Sequence, residues 1–84
     1  MLKEYANDAV LREHLELAQR DVTEGRLHVQ RQRAVIRGLE SGGYDSREAH
    51  WLLGTIEGLL RMHVRERDRL RELARMQAET LSVV

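Results

Sequence analysis

The chain is 84 residues long, contains no cysteine, proline or phenylalanine, and balances 14 acidic side chains against 14 lysines and arginines. Its size allows one domain, residues 1–84, too short to bury a large fraction of its surface unaided, and the missing cysteine excludes disulfide staples, thiol nucleophiles and cysteine-ligated zinc. Net neutrality makes it a poor ligand for polyanions, although Lys3 is its sole lysine and arginine supplies all other basic side chains.

With 33% of residues charged and Leu, Arg, Glu and Ala dominant, the composition suits long exposed helices and an all-α class. The opening Met1-Leu2-Lys3-Glu4-Tyr5 lacks the apolar run of a signal peptide, and no stretch approaches the roughly 20 apolar residues of a membrane span. The expectation is a soluble, cytoplasmic protein without a membrane partner.

A first helix is expected over about residues 6–41, with Asn7 or Asp8 as candidate caps. Leu11, Leu15, Ala18, Val22, Gly25, Val29, Gln32, Ile36 and Leu39 follow one another at alternating spacings of four and three, the pattern of a coiled-coil seam. Gln32 is the one polar residue in that seam; it is expected opposite Gly54, poised to bond a partner's Gln32 and so select register. The break comes at Ser41-Gly42-Gly43-Tyr44-Asp45. Either glycine can take the left-handed C-cap conformation, and Asp45 with Glu48 three residues on reads as a variant capping box that opens the next helix.

The second helix is expected over about residues 46–80, after a turn at 42–45. Two heptad rows lie side by side on it. One runs Ala49, Leu52, Ile56, Leu59, His63, Leu70, Leu73, Gln77; the other runs Leu53, Ile56, Leu60, Val64, Leu70, Ala74, Leu81. A face as broad as Leu52, Leu53, Ile56, Leu59, Leu60 and Val64 needs two neighbouring helices to cover it, and one hairpin supplies only one. The predicted architecture is therefore a two-helix antiparallel, coiled-coil-like hairpin that dimerises into a four-helix bundle, with those six residues and Gln32 at the oligomer interface.

Folding the chain about residue 43 sets the acid-rich segment 8–24 against the arginine-rich segment 61–75, and the arginines of 26–37 against Glu48 and Glu57. Opposite signs meet in both halves, although each surface pair contributes only about 0.2–1 kcal/mol. Gly25, Gly54 and Gly58 cost about 1 kcal/mol each inside helices, so they are expected to form a notch for close helix packing, Gly25 lying near Leu60 to His63. Tyr44 and Trp51 cluster at the tip, where they either contact a partner or cap the core.

From His14-Leu15 through Ala18, Val22, Gly25, Gln32, Ile36 and Leu39 to Gly43 and Asp45, then Ala49, Leu52-Leu53, Leu60, His63 and Arg67-Asp68-Arg69-Leu70, the chain resembles a group of short helical proteins of rhizobial and related alphaproteobacteria. That group has no assigned activity, so the resemblance implies a hairpin and no chemistry. It often carries histidine where this chain has Asp21 and Glu66, which raises His14, Asp21, His63 and Glu66 as candidate metal ligands. Against this, no Glu-x-x-His pair recurs on both helices and Arg67 would repel a cation. The simpler expectation is no cofactor, with His63 bonded to Asp21.

Glu66, Asp68 and Glu72 interrupt the basic stretch from Arg61 to Arg75, and no groove-reading motif for nucleic acid accompanies it. Ser41, Ser46 and Ser82 stand in the turn or tail without an activating base, so no enzyme is expected. The reading that remains is a small interaction module or adaptor that partners itself and, secondarily, another protein. A metal- or ligand-binding bundle and an arginine-rich nucleic-acid regulator are the alternatives.

Overall fold

The structure is a computed structural model that describes the backbone of residues 2–83 and the side chains of residues 9–80. Two helices, α1 (Leu2–Ser41) and α2 (Arg47–Val83), pack along each other as a hairpin, with no strand among the described residues. The first helix starts before Asn7 and Asp8, which therefore fall inside α1 rather than at its cap. Their side chains, and that of Leu81, lie outside the described set.

The turn between the helices is a complete Schellman motif. The Tyr44 N–H donates to the Leu39 carbonyl at 2.8 Å and the Gly43 N–H to the Glu40 carbonyl at 3.1 Å, while Gly43 takes φ +75°, the left-handed conformation that side chains disfavour. Gly42 contributes differently, by leaving room for a side chain. A Cβ there would stand 2.7 Å from the Tyr44 ring, which folds back over the turn.

The start of α2 is capped by Asp45, whose Oδ1 accepts the Arg47 N–H at 3.0 Å. The expected reciprocal bond from Glu48 is not made among the described residues. Instead the Arg47 guanidinium grips the Asp45 carboxylate at 2.7 Å, and this bond, then the backbone one, holds the Asp45 carboxyl below its ordinary range.

Between the helices the seam is thin. Among the described residues Ala18, Val22, Val29 and Ile36 of α1 and Leu70 of α2 are the buried apolar ones, and only Val22 of them is wholly enclosed. Gly25 lets α2 approach: a Cβ on it would meet Leu60 Cδ1 at 3.0 Å. One heptad further from the turn Ala18 stands level with Arg67, whose side chain is only 11% exposed. The Arg67 stem fills the seam and its guanidinium snorkels to Asp68 at 3.0 Å.

The product is a rod of 64 × 18 × 14 Å, with a radius of gyration of 18.7 Å, where a compact domain of this length would have about 12 Å. No described helix is long and apolar enough to cross a membrane.

Candidate interaction surface

The heptad pattern divides the hairpin into two flanks on either side of the seam. On α1 the residues just after seam positions (Gln19, Arg26, Arg33, Glu40) face one flank, and those just before them (His14, Asp21, His28, Val35) face the other. On α2 the corresponding sets are His50, Glu57, Val64, Arg71 and Leu52, Leu59, Glu66, Leu73.

The first flank is closed by polar bridges between the helices, at heptad intervals. Arg71 Nη2 donates to Gln19 Oε1 at 3.1 Å, Arg33 Nη2 to Glu57 Oε2 at 3.1 Å, and Glu40 Oε2 receives both Ser46 Oγ at 3.0 Å and His50 Nε2 at 3.1 Å. The His50 bond, and secondarily the Ser46 bond, hold the Glu40 carboxyl below its ordinary value of 4.5. This three-residue clasp ties the last turn of α1 to the first of α2. Sequence reading had not picked it out, because it joins a glutamate before the turn to a serine and a histidine after it, and only the Schellman geometry brings them together.

Among the described residues the second flank has no such bridges at its facing positions and exposes four apolar side chains among polar ones. Val35 is 51% exposed, Leu52 42%, Leu59 50% and Leu73 39%, with Met62 and Met76 alongside. The broad α2 face expected to form one oligomer surface is thus divided. Leu53, Ile56, Leu60 and Val64 are half-buried against α1, whereas Leu52 and Leu59 remain outside. Near the turn this flank becomes an open groove lined by Gln32, Val35, Leu39, Ala49, Leu52 and Trp51, with Asp45 and Glu48 on its rim. Tyr44 and Trp51 are 70% and 74% exposed, so Trp51 does not cap the core of the single chain.

Within the single chain Gln32 Nε2 donates to the Ala49 carbonyl at 3.0 Å. Gly54 has nothing within 4 Å of a Cβ, and Gly58 has only the Arg61 guanidinium, at 3.7 Å. Of the three glycines expected to form a notch, Gly25 alone receives the facing helix.

The candidate ligands do not assemble into a site in one chain. His63 Nδ1 lies 3.8 Å from Asp21 Oδ2, an ion-pair distance rather than the expected hydrogen bond. The Arg69 guanidinium holds Glu66 at 2.8 Å, and this bond depresses the Glu66 carboxyl. Among the described residues no three His, Cys, Asp or Glu side chains converge as metal ligands.

Three of the seven arginines of α2 pair with acids of their own helix: Arg67 with Asp68, Arg69 with Glu66, and Arg75 with both Glu72 and Glu79. Charge complementarity between the two helices therefore rests on a few bridges, while most α2 pairs are local. The resulting surface is a salt-bridged helix face, not a continuous basic strip.

No family model matches the sequence, and neither the curated proteins nor the solved structures contain a match to it.

Proposed function

We propose that the chain is a non-enzymatic, self-associating protein–protein interaction module of the cytoplasm, and that its working surface is the open flank. The observation that carries this reading is the contrast in one molecule between a flank bridged by Gln19–Arg71, Arg33–Glu57 and Glu40–His50 and a flank presenting Val35, Leu52, Leu59 and Leu73 to solvent. Exposed apolar side chains gathered on one side of a small protein are the material of a docking site. The rim charges of that flank give it solubility and orientation, while its leucines give it affinity.

Light scattering coupled to size exclusion tests the reading. The wild-type chain is expected to run as a discrete species larger than one chain, and Leu59→Glu to run as a single helical chain. A wild-type chain that remains monomeric across the accessible concentration range refutes it.

A further inference from the structure

We draw no further inference here: the strongest candidate, the open groove beside the turn lined by Val35, Leu39, Leu52 and Trp51 with Asp45 and Glu48 on its rim, belongs to the flank already described, and nothing in the structure shows what covers it, since Arg47 already holds the Asp45 carboxylate and one further rim carboxylate selects no partner.

Discussion

The two flanks are built from the same two helices and the same heptad, yet one is finished and the other is not. The flank of Gln19, Arg33 and Glu40 bonds across to Arg71, Glu57 and His50, so three of its four layers are bridged inside the chain, Arg26 beside Val64 being the exception. The flank of Val35, Leu52, Leu59 and Leu73 holds side chains whose only gain is removal from water. Polar bridges on a solvated surface set register and contribute little energy, whereas apolar burial contributes energy with little directionality. The bridged flank therefore fixes how the hairpin closes, and the other leaves apolar surface in water.

The comparison breaks most visibly at Leu59. Burying a leucine stabilises by about 1.5–3 kcal/mol, and a dimer buries two, so Leu59→Glu is expected to weaken association more than a hundredfold while circular dichroism of the single chain stays helical. An equal loss from Arg33→Glu on the opposite flank would show that the two flanks do not differ in this way. Next in size is the turn on which both flanks depend. Gly43→Ala places a Cβ at φ +75° and should cost about 1–2 kcal/mol of folding stability in denaturant titrations. Association measured well below the unfolding midpoint should be unchanged.

Smaller effects sharpen the closed flank. Arg33→Ala removes one exposed bridge, 55% and 34% exposed at its two side chains, and should lower stability by no more than about 0.2–1 kcal/mol, less at high salt. The smallest expected effect is that of pH on the Glu40 clasp. Its folded carboxyl titrates below the ordinary 4.5, so in the acid range the unfolded chain binds the extra proton. The clasp's stabilisation is present in full above that value and is lost as pH falls through the depressed one. Melting curves between about pH 6 and pH 3 should show wild type and Glu40→Gln converging at the acid end. A gap that widens there would reverse the sign of the argument.

Much of the hairpin is legible in the linear pattern because its determinants are local. A four-three spacing of apolar residues needs only helix periodicity to become a seam, and Gly42-Gly43 before Asp45 needs only backbone sterics and a capping carboxylate to become a turn. The facing of Gly25 and Leu60 follows from folding at that turn. Finer assignments depended on which way a side chain leans from a neighbouring helix. Gln32, the polar residue of the seam, bonds the Ala49 carbonyl of the facing helix, a partner its heptad position does not specify. Arg67, a charged residue with no place in an apolar row, holds a seam position with its side chain only 11% exposed. Gly54 and Gly58, one turn apart and suggestive of a notch, receive nothing from α1: Gly54 faces open space and Gly58 meets the Arg61 guanidinium.

The same division holds for the candidate surface. The sequence by itself determined that α2 carries more apolar width than one partner helix can cover, since that follows from heptad spacing alone. Only the tertiary structure decided which part of that width remains. Packing against α1 consumed Leu53, Ile56, Leu60 and Val64 and left Leu52, Leu59 and Leu73 on a single flank with Val35. The reason is geometric: periodicity assigns a residue to a helix face, but the rotation of one helix against the other, set here by Gly25 under Leu60 and by the bridges of the closed flank, decides which face is spent.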